Sequence, residues 1–377
     1  MTVISKYKVV LIIILIISLT GCWDYREMIE YADIVSIAID EGTESRYIIT
    51  LEGKKFSQSI DIEAKAVIYS GKANSVLDGL RSAIKQTGRV LYIGSVRAII
   101  ISEDIAKEGV REVLDYFIRS NQTRLLSGLY IARGTTAASL IEDTSMYSEF
   151  AGYEIDEATR QIELHGSYQN ENNLFSIGDR LLDPYKSPLA TALETRDLPL
   201  NKKTFSIAGI ACFNGDRLVG YIEKDFIPIF GVWVNRYGNG VLSIPCDDYG
   251  VVSLNIYKSK SKRSYEYKNN KVYLNIDVKM EISYTENGTN KYGIDEITKE
   301  EIIGHVIDYF ELNIPALHEY AKKELQTDVL EIEEFFRKYH FSTWKKIEGT
   351  YDFLRDTQVE ADVEVIFRGA GQFQLRE

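Results

Sequence analysis

Residues 271–284 read KVYLNIDVKMEISY. Val272, Leu274, Ile276, Val278, Met280 and Ile282 occupy every second position. They therefore share one face of a long strand, and the other face is left to water. Asn269-Asn270 turns the chain just before it, and residues 264–267 and 251–257 are further strand runs. After the strand the period changes. Ile302, Ile303, Val306, Ile307 and Phe310 recur at helical spacing behind Thr298 and Glu301, a capping-box pair. Pro315 interrupts this stripe and predicts a kink or break. Leu317, Tyr320, Ala321 and Leu325 resume it. Asp328, with Glu331 three residues on, starts another short helix, and Trp344 follows. Val359, Ala361, Val363 and Val365 then alternate along a last strand, 357–367. Strands followed by helices and a closing strand predict an α+β unit over 256–377.

The N-terminal half mixes the two periods more closely. Residues 33–40 (DIVSIAID) and 46–52 (RYIITLE) flank a turn-rich segment and read as a hairpin; 65–70 is a third strand. Ser75 and Asp78 open a helix that Gly88 is placed to stop. Residues 96–101 (VRAIII) form a buried-strand pattern. Ser102 is placed to cap a second helix, with Ile105, Ala106, Val110, Val113, Leu114, Phe117 and Ile118 on its apolar face. A strand over 124–132 and a short helix over 135–141 follow. Residues 144–200, with Asn170 to Asn173, Pro184, Pro188 and Pro199, read as loop and linker. Asn214-Gly215-Asp216 between residues 205–213 and 217–223 is a hairpin signal. Residues 229–235 and 240–244 continue the strand pattern. The expected organisation is a signal segment (1–21) and three mixed α+β domains: 22–190, a strand-rich 191–255, and 256–377. Their sheets are expected to be antiparallel or mixed and flanked by helices.

The 377 residues are 45% hydrophobic and 27% charged, which suits a globular protein with a core. The formal net charge of -12 disfavours a nucleic-acid partner, which needs a basic footprint. The four histidines, His165, His305, His318 and His340, stand at no recognised metal-ligand spacing. There is no P-loop, dinucleotide fingerprint, zincin motif or nucleophile elbow. The sequence therefore points to no enzyme, cofactor or metal. Lys258, Lys260, Lys262 and Arg263 form a basic run with two readings. They contact anionic lipid or an acidic partner, or they are a solvated hairpin whose lysines discourage edge pairing. Cys212 and Cys246 either pair in an oxidising compartment or are separate buried hydrophobes.

Residues 9–19 (VVLIIILIISL) are an unbroken apolar run behind Lys6 and Lys8. This length suits a secretory signal better than a span, which needs about 20 apolar residues. Leu19-Thr20-Gly21-Cys22 follows and resembles a bacterial lipobox. Cleavage would fall between Gly21 and Cys22, and Cys22 would carry a diacylglyceryl group. Trp23 beside it either rests at the headgroup level or packs on the first domain.

Several stretches together resemble the Ger(x)C family of spore germination lipoproteins. They are Gly21-Cys22-Trp23-Asp24 with Glu27; Gly88-Arg89 with Gly94; Ser102-Glu103-Asp104; Ile131-Ala132-Arg133-Gly134; Ala208 to Phe213 with Asp216 to Gly220; and Gln326-Thr327-Asp328 with Trp344. The family often has His after the second Gly, where this chain has Ser95, so no role for that His transfers. It often has Gly shortly after the Asp, where this chain reads Val329-Leu330-Glu331, a run open to continued helix. The resemblance implies a three-domain α+β fold and a lipid anchor on the outer face of the inner spore membrane. It also implies assembly with A-type and B-type integral membrane subunits into a nutrient receptor, in which this kind of subunit is required but has no established chemistry. A solute-binding lipoprotein serving a transporter is the alternative, and it predicts two similar α/β lobes.

Overall fold

A computed structural model describes residues 30–56, 64–142, 148–165, 172–199, 202–246, 250–287 and 296–369. The apolar run 9–19, Gly21, Cys22 and Trp23 lie outside them. In chain order the elements are β1 (Tyr31–Glu41), β2 (Tyr47–Phe56), β3 (Ala64–Ala73), α1 (Val76–Thr87), β4 (Val90–Tyr92), β5 (Ala98–Ser102), α2 (Glu103–Glu108), α3 (Arg111–Arg119), β6 (Gly128–Ala132), α4 (Ser139–Glu142), α5 (Ala151–His165) and α6 (Leu174–Leu182). There follow β7 (Leu189–Leu198), β8 (Lys202–Asn214), β9 (Arg217–Ile222), α7 (Ile227–Trp233), β10 (Gly240–Cys246), β11 (Gly250–Lys268), β12 (Lys271–Asn287), α8 (Glu296–Tyr320), α9 (Ile332–Tyr339), α10 (Phe341–Ile347), α11 (Phe353–Asp356) and β13 (Gln358–Gly369).

Two mixed sheets carry this α+β chain. The first has nine strands in the order β3-β2-β1-β5-β6-β7-β8-β9, with β4 also paired to β1. β1, β5, β6 and β7 run parallel at its centre, and antiparallel hairpins flank them. Central strands buried on both faces explain the near-continuous apolar runs Ala98–Ser102 and Gly128–Ala132. α1, α2, α3 and α6 cover one face, and α4 and α5 cover the other. The second sheet runs β10-β11-β12-β13. The alternating residues of β12, Val272 through Ile282, are all buried on one face, as the pattern requires. Ile302, Val306, Phe310, Ile314 and Leu317 of α8 pack into the same core.

That core also takes in Leu189, Ile210, Cys212 and Ile222 of β7, β8 and β9. The expected boundary at 190/191 thus falls inside β7, and the stretch 191–255 is divided between the two sheets. Three strands of that stretch hydrogen-bond into the first sheet because the apolar β7 pairs in parallel with β6. Cys212 and Cys246 are both free and buried in the shared core. Burial pushes the Cys212 thiol up to about 12.

Several local expectations hold. The Ser75 side chain accepts from the Asp78 N–H, and Gly88 ends α1 in the left-handed region. Asn269 and Asn270 both have positive φ, the geometry of a two-residue hairpin turn. Others are corrected. The second helix divides into α2 and α3 at Gly109, whose φ of 139° lies outside the helical region. There the Val110 N–H leaves the helix for the Asp216 carbonyl, 2.9 Å away. Residues 144–200 hold two helices. α6 is capped by Asn173, which accepts from the Ser176 N–H, and α5 is capped by Glu52 of the distant strand β2. Residues 229–235 are helical rather than extended: Pro228 sits in the first turn of α7, and Ile229, Phe230, Val232 and Trp233 are buried. A short run buried on all sides has no period to read. β11 is one strand, so Lys258 to Arg263 lie within it. α8 continues through Pro315. The loss of one helical hydrogen bond there is offset by apolar burial on both sides of it.

α1 approaches β2 so closely that a Cβ on Gly79 would lie 2.3 Å from Ile49 Cδ1. Ile49 is buried, so it has no space to retreat into. Gly79→Ala should therefore destabilise the fold by about 1–3 kcal/mol by overpacking, despite alanine's better helix propensity. Denaturant unfolding that showed a gain would contradict this close approach.

Candidate functional site

Gly21 and Cys22, the site residues expected from the sequence, lie outside the described residues. Four of the other segments singled out in the sequence converge in two places, while Gly88-Arg89 and Gly94 flank β4 and join neither. The first surrounds Arg133, just after β6. Its guanidinium donates two hydrogen bonds to Glu223, at 2.7 and 2.9 Å, and a third to the Ala208 carbonyl at 2.8 Å. It also lies 4.1 Å from the centre of the Tyr221 ring. Glu103 accepts from the Gly134 N–H at 3.1 Å. Residues from the 102–104, 131–134 and 208–213 segments are thereby tied together by one bidentate ion pair and its neighbours.

The second place is a cleft of about 710 Å³ between α6, the end of α7, β11 and α9. Trp233, at the end of α7, is buried, and its indole N–H donates to the Leu330 carbonyl at 2.8 Å. Arg263 projects from β11 and donates to the carbonyls of Trp233 (3.2 Å) and Glu331 (3.3 Å). Its guanidinium lies 5.6 Å from the Trp233 ring centre and 5.5 Å from that of Phe335. Burial pulls the Arg263 pKa down, although Glu331 and Asp328 hold it up. Arg180 of α6 donates to the Ser187 carbonyl and to the Glu331 carboxylate. Arg337 of α9 reaches back to Asp183 at 3.0 Å and lies over the Tyr185 ring. The walls are thus cross-linked by arginines, with the first sheet's connections on one side and the 328–337 segment on the other.

The turn into α9 shapes this wall. Asp328 accepts from the N–H groups of Ile332 (3.1 Å) and Glu333 (2.9 Å), so its carboxylate caps the helix. Glu331 has a φ of 54°, so the chain turns here and the helix does not continue back through 329–331. Left-handed backbone of this kind strains a glutamate. His318 faces Trp233 in a nearly parallel stack and shares a 2.8 Å hydrogen bond with the Leu354 carbonyl. A carbonyl only accepts, so His318 Nε2 carries a proton; burial pulls its pKa down and keeps the ring neutral. His340, in the cleft, contacts the rings of Tyr265 and Phe335.

Chemically, the cleft holds charges together. Its histidines face rings and a carbonyl, and no cluster of three metal-ligating residues occurs among the described residues. The basic run of β11 alternates. Lys258, Lys260 and Lys262 are exposed, while Arg263 turns into the cleft. The Ser261 hydroxyl donates to the Val232 carbonyl at 2.6 Å and its N–H donates to Asn235 at 2.8 Å. The sequence singles out Arg263, Asp328, Glu331 and Trp344 but not Arg180 or Trp233. Asp328 ahead of an acidic first turn was the available signal.

Asp328 also makes a pH prediction. Desolvation raises its pKa to about 6, outweighing the two backbone hydrogen bonds. The folded protein therefore holds this proton at a pH where the unfolded chain, near 3.9, has released it. Stability should rise as pH falls from about 6 to about 4, by about 2–3 kcal/mol. Asp328→Asn should remove that increment. Unfolding free energies with the same pH slope in both proteins would contradict the assignment.

Residues 24–195 match the family model described as spore germination protein N-terminal domain. Residues 208–371 match the model for spore germination B3/GerAC-like C-terminal domains. The chain belongs to the GerAC-like family of spore germination proteins. Relatives in Bacillus subtilis (strain 168) include the putative spore germination protein YfkR, 26% identical over 72% of this chain and 73% of that protein. Spore germination protein KC is 22% identical over 96% and 95%, and spore germination protein B3 is 22% identical over 95% and 96%. The crystal structure of the GerBC protein superposes with a TM-score of 0.56 at 18% identity, covering 88% of this chain and 96% of that one. The α+β architecture is thus that of GerBC, and a role in spore germination comes with the family. The two family matches meet near the hairpin of β7 and β8, where the first sheet also contributes to the second core.

Proposed function

We propose that this protein is the lipid-anchored, non-enzymatic subunit of a nutrient germinant receptor. Its body would stand on the outer face of the inner spore membrane, against A-type and B-type integral membrane subunits. The observation that carries this reading is the position of Leu19-Thr20-Gly21-Cys22, only eight residues before Glu30, where the described fold begins. At about 3.5 Å per residue that segment reaches at most about 28 Å. An acyl-bearing Cys22 would hold the body close to the bilayer. No helix among the described residues is long and apolar enough to cross a membrane. The arginine cross-links of the cleft favour a scaffold whose two sheets move as one.

Cys22→Ala is the test. Fractionation should move the protein out of the membrane pellet, and co-purification of the integral subunits should fall. Germination triggered by nutrients through this receptor should be lost. A mature protein that stayed in the membrane pellet would sink the anchor. Normal germination of a deletion strain with no duplicate subunit would sink the receptor role.

A further inference from the structure

One end of the first sheet displays large apolar side chains that the fold leaves uncovered. Leu126 is 64% exposed, Phe175 62% and Leu182 81%, whereas most of the described leucines are buried. Leu125 and Ile118 stand beside them, also exposed. Leu125, Phe175, Leu182 and Ile118 line one groove between α3 and α6. The Phe175 N–H donates to the Leu125 carbonyl at 3.0 Å, so the loop before β6 and the start of α6 form one ridge. Exposed apolar residues scattered singly are ordinary, but a contiguous set marks a contact surface.

The register of the sheet shows which way this ridge points. Ser36 of β1 lies level with Ala98 of β5, and Ala98 level with Gly128 of β6, all three strands being parallel. Leu125 and Leu126 precede Gly128, so they lie at the end of the sheet where β1 starts. β1 and β6 are separated by β5 alone, hence by about 10 Å. The chain leading back to Cys22 therefore leaves the fold at the end that carries the ridge. Tyr31 and Tyr92, packed edge to face, occupy that end too, and Tyr92 is exposed. Arg124, exposed just before Leu125, and Arg119, which pairs with Asp115 at 2.6 Å, lie beside these residues in the chain, and arginines so placed suit anionic headgroups. Apolar tips, a tyrosine and arginines at the tether end are the composition of a surface that rests in the interfacial layer of a bilayer.

We propose that the ridge of Leu125, Leu126, Phe175 and Leu182 inserts into the lipid surface and orients the body on the membrane. This rests on the lipid-anchor reading above. The occupant is lipid rather than a protein partner because the ridge shares its end of the sheet with a tether that keeps that end within about 28 Å of the bilayer.

The test uses the full lipoprotein in vesicles of phosphatidylethanolamine and phosphatidylglycerol carrying a spin-labelled acyl chain, without other proteins. An environment-sensitive dye is attached through Leu126→Cys, or through Leu182→Cys; both sites are exposed, so the core is left intact. Thr43→Cys, in the turn at the far end of β1, is the control. Emission at 126 and 182 should fall roughly twofold or more through quencher contact in the interfacial layer, and emission at 43 should not change. The mass of the N-terminal peptide reports acylation separately, so failure of the anchor is read independently. Quenching at 126 supports insertion whether or not Cys22 is acylated. No quenching at 126 and 182 overturns it in either case. Shielding that arises only when integral membrane subunits are added also overturns it and assigns the ridge to a protein partner.

Discussion

Trp233→Ala is expected to cost about 3–5 kcal/mol of folding free energy, the range for removing a fully buried tryptophan. The indole is 1% exposed and sits where the two sheets meet. Its removal takes three things at once: a large buried apolar area, the N–H that satisfies the Leu330 carbonyl at 2.8 Å, and one of the two rings beside Arg263. The Leu330 carbonyl belongs to the turn held by Asp328 and Glu331, so the damage should spread into α9. Trp233→Phe keeps most of the area and loses the hydrogen bond, which costs about 1–3 kcal/mol when a buried acceptor is left unpaired. Denaturant unfolding followed by the fluorescence of Trp344, which packs in the same core, measures both. A loss below about 1 kcal/mol for Trp233→Ala would mean that the cleft is not the mechanical joint described here.

The elements legible in the sequence are those whose signal is local. The alternation of residues 271–284 required one buried face, and β12 has it. Ser75 and Gly88 bound α1, and Asn214-Gly215-Asp216 turns β8 into β9, because each turn or cap is made by the residues at that place. The misreadings share a different cause. Residues 229–235 read as strand because the buried run Ile229 to Trp233 carries no period. The break between α2 and α3 depends on Asp216, a residue about a hundred positions away that receives the Val110 N–H. The boundary near residue 190 failed to separate sheets because the pairing partner of β7 is β6, across three helices. The cleft was illegible for the same reason: Arg180, Trp233, Arg263 and Glu331 come from four elements, and only folding brings them together.

α5 shows most plainly how a distant residue defines an element, and its cap carries the second large effect. Glu52, on β2, is 1% exposed. It accepts from the N–H groups of Ala151 (2.6 Å) and Gly152 (2.9 Å), the first residues of α5, and from the Ser36 hydroxyl at 2.7 Å. A carboxylate at a helix N-terminus satisfies donors that the helix itself cannot and meets the positive end of its dipole. Asp40, on β1, does the same just before α4 through the N–H groups of Ala137 and Ala138, at 2.7 and 2.9 Å. Two adjacent strands thus hold two successive helical segments against one face of the first sheet. The burial that makes these caps strong also penalises their charge, so desolvation raises both carboxyl pKa values despite the hydrogen bonds. Glu52→Ala should cost about 4 kcal/mol, adding a cavity to three orphaned donors. Glu52→Gln keeps the volume but points an amide donor at one of those N–H groups, and should cost about 1–2 kcal/mol. Hydrogen exchange locates the effect. In Glu52→Ala the amides of α5 should exchange faster than those of α1, because α5 loses its cap while α1 keeps Ser75. Equal acceleration in both helices would show that Glu52 supports the sheet as a whole rather than the start of α5.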